Sequence, residues 1–196
     1  KGEQLYRIDL KGLQPGKHRM EFPIETSFFN EFGENQIIGA NLKADVELEK
    51  TGLCMRLGLK IEGDVTVECD RCLSELQLPI DVEETIAVTF SGVSRVRDEE
   101  DERPDGDVIE LERNETELDL SQVFYDYVCL SLPIQKIHEE GACDPVMMER
   151  MKEILKYAEA KGTSLGAFNT PNMTTLRGVL SAAEALNEPV IIMHAQ

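Results

Sequence analysis

Two thiols two residues apart, in Cys69-Asp70-Arg71-Cys72-Leu73, have the spacing that suits a metal ion or thiol–disulfide exchange. The next concentration of soft ligands is His138-Glu139-Glu140-Gly141-Ala142-Cys143. Tetrahedral coordination needs four ligands, so Cys69, Cys72, His138 and Cys143 are the candidate metal set, with structural zinc as the ion and no cofactor at all as the alternative. Such a site ties together residues more than sixty positions apart, and structural zinc contributes on the order of 10 kcal/mol to folding in small domains.

Redox exchange is the other chemistry of the pair. A reactive dithiol sits at a helix N-terminus, where the macrodipole lowers the thiol pKa. Here Val65 and Val67 lead in from a strand, and the acids Glu68 and Asp70 are expected to raise that pKa, with Arg71 offsetting them in part. Arg71 itself is a candidate partner contact. Hydrolytic machinery is poorly supported: His18, His138 and His194 lie in no nucleophile or metalloprotease motif. Cys129 reads as a small buried hydrophobe on a helix face.

The elements that must position these residues follow from periodicity. Tyr6, Ile8 and Leu10 alternate with polar neighbours, as do Met20, Phe22 and Ile24, then Ala44, Val46 and Leu48, then residues 54–61, then Val65 and Val67. Lys50-Thr51-Gly52 and Glu62-Gly63-Asp64 read as turns between strands. After the cysteine pair, Leu76 to Val82 and Ile86 to Phe90 continue the alternation, giving an antiparallel meander, with a short helical turn predicted over 27–32. Seven acids with Arg103, Pro104 and Gly106 between Asp98 and Asp107 predict a mobile acidic loop over 97–107, with mimicry of nucleic acid as the sharper alternative.

A strand over 108–111 precedes a helix over 118–132, capped by Asp119 or Ser121 and stopped by Pro133. Asp144-Pro145 opens a second helix that ends at Gly162. Ser164 to Phe168 and Val190 to Met193 read as short buried strands flanking an amphipathic helix over 173–186, a βαβ unit of a parallel sheet. The expected fold is therefore α+β: a mainly antiparallel sheet or partly open barrel with C-terminal helices, followed by a βαβ-like segment of an incomplete barrel.

Charge divides the chain at a similar place. Of the net −18, residues 1–147 carry all of it (15 Lys/Arg against 33 Asp/Glu, 15 − 33 = −18), while residues 148–196 hold five of each. Such acidity disfavours nonspecific binding to phosphate backbones and favours a basic protein partner. No apolar run approaches the roughly 20 residues of a membrane span and no signal peptide is visible, so a cytoplasmic protein is expected, although the chain opens on Lys1. Five cysteines at irregular spacing read as reduced thiols.

Four segments in order, Cys69-Asp70-Arg71-Cys72-Leu73, Asn114-Glu115-Thr116-Glu117-Leu118-Asp119-Leu120-Ser121, Leu130-Ser131-Leu132-Pro133-Ile134 and Glu140-Gly141-Ala142-Cys143-Asp144-Pro145, resemble the bacterial YceD-like family over about residues 1–150. The resemblance implies a non-enzymatic factor for accumulation of large-subunit (23S) ribosomal RNA, also represented in plastids, without catalytic residues. Its implied partner is a ribosomal protein or pre-ribosomal particle, or a limited RNA site. Fuller family patterns carry more cysteines near the C-terminal end of the domain than this chain does.

The tail is similar to something else. Met151-Lys152-Glu153-Ile154-Leu155, Gly166-Ala167-Phe168-Asn169-Thr170-Pro171-Asn172 and residues 189–196 resemble the opening of class II, zinc-dependent ketose-bisphosphate aldolases. That resemblance implies the start of a (β/α)₈ barrel, with Asn169 on a strand facing the sugar phosphate and the zinc ligands of the family beyond this chain. Two domains are expected, an acidic one over 1–147 and an aldolase-like fragment over 148–196, inactive as an aldolase at this length.

Overall fold

Every second residue from Met55 to Val67 is apolar or glycine, the period a pleated strand needs to bury one face. The computed structural model describes residues 5–33, 36–51, 54–91, 107–170 and 172–193, arranged as two compact units, Lys1–His138 and Glu139–Gln196.

In the first unit β1 (Arg7–Asp9) and β2 (Gly16–Glu25) lead through the short helix α1 (Thr26–Asn30) into β3 (Ile37–Thr51), β4 (Cys54–Glu68) and β5 (Glu75–Phe90). Then come β6 (Val108–Leu111), β7 (Glu117–Asp119) and α2 (Ser121–Ser131). The main sheet has the order β2-β3-β4-β5-β6, an open sheet rather than a barrel, with β2 to β5 antiparallel neighbours and β6 parallel to β5. β1 pairs separately with β7, Ile8 opposite Leu118.

Leu42, Ala44, Val46 and Leu48 of β3 and Leu57, Leu59 and Ile61 of β4 face one core, and α2 closes over it with Phe124 and Val128 fully buried. Tyr6 lies edge-on to Phe28 at 4.8 Å and to Phe124 at 5.9 Å, while Phe32 stacks on Tyr125 at 4.2 Å. These aromatic pairs add specificity beyond the area they bury.

Three local expectations are corrected. Glu62-Gly63-Asp64 is not a turn: β4 runs straight through it, and Gly63, at φ +138°, occupies an inward position where a Cβ would collide with the Asn41 carbonyl. Glycine is there for close strand approach, a role that looks like a turn signal in sequence. The helix over 118–132 starts later, because Leu118 pairs in β7; Asp119 still helps its start by accepting from the Ser121 N–H at 2.9 Å. The 97–107 loop lies outside the described residues except Asp107, whose carboxylate accepts from the Tyr127 hydroxyl at 2.7 Å. The end of the predicted turn at Gly52 is likewise outside them.

The second unit holds α3 (Pro145–Lys161), β8 (Gly166–Asn169), α4 (Met173–Leu186) and β9 (Val190–Met193). Asp144 caps α3 by accepting from the N–H groups of Val146 and Met147, and Gly162 ends it in the left-handed region at φ 64°. Asn172 caps α4 by accepting from the Thr175 N–H at 2.9 Å. β8 and β9 pair in parallel, as expected of the βαβ pattern. They are not buried, however: Phe168, Ile191, Ile192 and Met193 are exposed, since a two-stranded sheet has no inner strand to shelter them. Among the described residues no helix is long and apolar enough to cross a membrane.

Candidate metal centre

The cysteine pair sits in the turn joining β4 to β5. Cys69 N–H donates to the Ser74 carbonyl and Leu73 N–H to the Cys69 carbonyl, both at 2.9 Å, which folds the segment into a tight loop. Closure puts Leu73 at φ 61°, a left-handed conformation that strains a non-glycine residue by about 1 kcal/mol. Its side chain is exposed, so the strain serves the backbone path and not the core.

That path aims N–H groups at sulfur. Burial pushes the Cys69 thiol up, but backbone N–H groups of Arg71, His138 and Cys72 outweigh it and leave the pKa below its ordinary value. The expectation that Glu68 and Asp70 raise this pKa is therefore overturned. Asp70 is turned elsewhere: its carboxylate accepts from the Lys136 backbone N–H at 2.7 Å and stands 3.5 Å from the Lys136 ammonium. The Asp70 N–H donates in return to the Lys136 carbonyl at 2.7 Å.

This reciprocal latch delivers His138, two residues on. Its Nε2–H donates to the Glu75 carbonyl at 3.0 Å, because a carbonyl only accepts; Nδ1 is left facing Cys72 Sγ at 3.5 Å. Cys69 is the main cause of a raised His138 pKa, burial opposes it, and the Glu75 carbonyl and Cys72 add to the rise. Ser74 Oγ lies 3.0 Å from Cys72 Sγ. Beyond His138, Gly141 takes φ +85° and Ala142 N–H donates to the Glu139 carbonyl, a turn just before Cys143.

Ligand atoms of Cys69, Cys72 and His138, all in the first unit, lie within 4.8 Å of one another, with both cysteines buried and His138 half-buried. Of the four residues that sequence spacing singled out as a metal set, Cys69, Cys72 and His138 come together in the first unit, and Cys143 is a buried residue of the second. Arg71 projects from the same turn and is exposed. Asn169 lies on β8, opposite Met193 in register and exposed. Cys129 is half-buried against the core and burial raises its pKa, so it acts as a packing residue. Sequence reasoning missed Asp70, Lys136 and Glu75 as positioning groups. Lys136, a buried lysine among loop residues, carried no periodic signal.

The first unit is thus an α+β protein with an open, mainly antiparallel sheet that carries cysteine and histidine ligand groups at the turn of its β4–β5 hairpin. Residues 57–168 match the family described as large ribosomal RNA subunit accumulation protein YceD, more than half of the chain, and the chain belongs to that family. It is not known as an enzyme family. Residues 149–196 match class II fructose-bisphosphate aldolase, overlapping the first match through most of α3 and part of β8. A fructose-bisphosphate aldolase from Thermus caldophilus is 50% identical over 40 residues, which is 20% of this chain and 13% of the aldolase. The chain thus spans about an eighth of that curated relative. No solved structure matches.

Proposed function

We propose that this chain is a cytoplasmic, non-catalytic factor that supports accumulation of 23S ribosomal RNA and assembly of the large ribosomal subunit. The observation that carries the reading is the family match across residues 57–168, which includes every member of the Cys/His cluster. Charge supports a protein partner: the acidity of −18 falls within residues 1–147 and suits a basic ribosomal protein better than bare RNA. Exposed Arg71 is the proposed contact residue of the turn. Depletion of the parent protein should lower 23S relative to 16S RNA and reduce 50S particles. Unchanged ribosome profiles after depletion overturn the proposal, and crosslinks from Arg71 to RNA alone overturn the choice of a protein partner.

A second reading belongs to residues 148–196, and the aldolase match favours it. On this reading the tail is the opening strand–helix–strand of an aldolase barrel, Asn169 is a substrate-facing position, and the chemistry is that of a longer protein. The 196-residue chain, supplied with zinc and fructose bisphosphate, should show no aldol cleavage. Measured turnover overturns that expectation.

A further inference from the structure

We propose that the end of the main sheet at the β4–β5 turn is a docking surface for a basic protein segment. That segment seats large apolar side chains against Ile38, Leu73, Ile134 and Ile137 and places a lysine or arginine between Glu68 and Glu75. The basic character of the partner rests on the ribosomal reading; the place of the surface rests on the fold.

Backbone pairing sets that place. Ile37 opposes Val67 on β4, just before the turn, and the chain around 134–138 is drawn to the turn by Lys136 at Asp70 and by His138 at the Glu75 carbonyl. Of the seven large hydrophobic side chains exposed among the described residues of the first unit, these four lie at this end. Ile134 is 99% exposed, Leu73 63%, Ile38 46% and Ile137 38%. Single exposed hydrophobics are ordinary on a protein surface, whereas a concentration of them marks a contact.

Two backbone irregularities present these side chains. Ile37 opposes Val67 and Gly39 opposes Thr66, neighbours on β4, so Ile38 is the extra residue of a β-bulge. The bulge lets both Ile37 and Leu42 face the core and leaves Ile38 in solvent. Leu73, at φ 61°, has a backbone that suits glycine or asparagine, and its exposed side chain gains no packing to offset the strain. Such a leucine contributes nothing to the isolated fold and becomes favourable only under a partner that covers it.

Charge chooses the occupant. Glu68 and Glu75 are both exposed and stand directly opposite each other on β4 and β5, an arrangement that is destabilising between like charges. A partner cation between them removes the repulsion. The −18 of residues 1–147 draws such a partner in and repels both a phosphate backbone and a second copy of this chain. Arg71, exposed on the same turn, offers its guanidinium to carbonyl or carboxylate groups at the rim.

The test titrates the full chain with two fluorescein-labelled peptides of equal positive charge, one carrying leucines among its lysines, the other serine in place of each leucine. The leucine peptide should bind at least about tenfold more tightly, and Leu73→Asn/Ile134→Ser should abolish that advantage. Asparagine suits the left-handed backbone and Ile134 is almost wholly exposed, so this double variant should unfold in urea at or above the wild-type midpoint. Glu68→Gln/Glu75→Gln, read separately, should weaken both peptides and flatten the salt dependence of binding. Equal binding of the two peptides, or a leucine advantage that survives in the double variant, overturns the proposal. So does tighter binding of a labelled single-stranded RNA, or a wild-type dimer in sedimentation that the double variant dissolves. The peptides involve no ribosomal component, so their failure sinks the surface, while normal ribosome profiles after depletion sink only the ribosomal reading.

Discussion

Replacing Asp70 with Ala removes the residue that holds the cysteine turn to the His138 segment. Asp70 accepts from the Lys136 N–H at 2.7 Å, and Lys136, only 8% exposed, has no room to exchange that partner freely for water. A buried donor left without an acceptor costs about 1–3 kcal/mol. The Lys136 ammonium loses its carboxylate at 3.5 Å as well, but the Asp70 side chain is 43% exposed, so this ion-pair part is discounted for solvent screening to at most about 0.5 kcal/mol. The expected loss for Asp70→Ala is therefore about 2 kcal/mol. Asp70→Asn keeps an oxygen for the Lys136 N–H and loses only the charge, so about 0.5 kcal/mol is expected. Urea unfolding, followed by the far-ultraviolet signal of the sheet, reads the latch. An Asp70→Ala chain within 0.5 kcal/mol of wild type, or one as mild as Asp70→Asn, refutes the latch.

Gly63→Ala should cost about 2–4 kcal/mol, since it combines a left-handed backbone with a collision against β3. Gly58→Ala, whose added carbon meets only Glu47 at ordinary contact distance, should stay within about 1 kcal/mol of wild type, and equal effects at the two sites refute the close-approach reading. Phe124→Ala, at a fully buried position on the core face of α2, should cost about 3–5 kcal/mol by thermal or urea unfolding. Asp119 supplies acid sensitivity: burial raises its pKa, but the Ser121 N–H and hydroxyl and Arg7 together hold it below its ordinary value. A depressed carboxylate stabilises the fold above its unfolded pKa and stops doing so as pH falls through the lower folded value. Asp119→Asn should therefore flatten the loss of stability below about pH 4, and superimposable acid profiles refute this.

Local chemistry was legible in the sequence and pairing over distance was not. Alternation placed β2 through β5, and the Asp144, Asn172 and Gly162 caps set three helix ends where the structure has them, because capping is decided within four residues. The candidate metal set was legible because Cys and His are rare here and their spacing is diagnostic. Gly63 misled because a glycine needed for close approach and one needed for a turn look alike. Leu118 misled because its apolar spacing fits the helix that follows it, while its partner Ile8 is over a hundred residues away. Asp70 was read as an electrostatic neighbour of Cys69; only the fold reveals Lys136 as its partner.

β4 and β5 remain in continuous antiparallel register from Met55 opposite Val88 to Glu68 opposite Glu75, about 45 Å of ribbon at the usual rise per residue. In such a ribbon a slip of one residue sends Leu57, Leu59 and Ile61 to the solvent face together. The turn at Cys69–Ser74 is the point from which both strands are counted. Its strained Leu73 and its bonds to Lys136 and His138 therefore act on alignment as well as on local stability: they exclude the alternative pairings that a long, valine- and leucine-rich hairpin would otherwise sample while it folds.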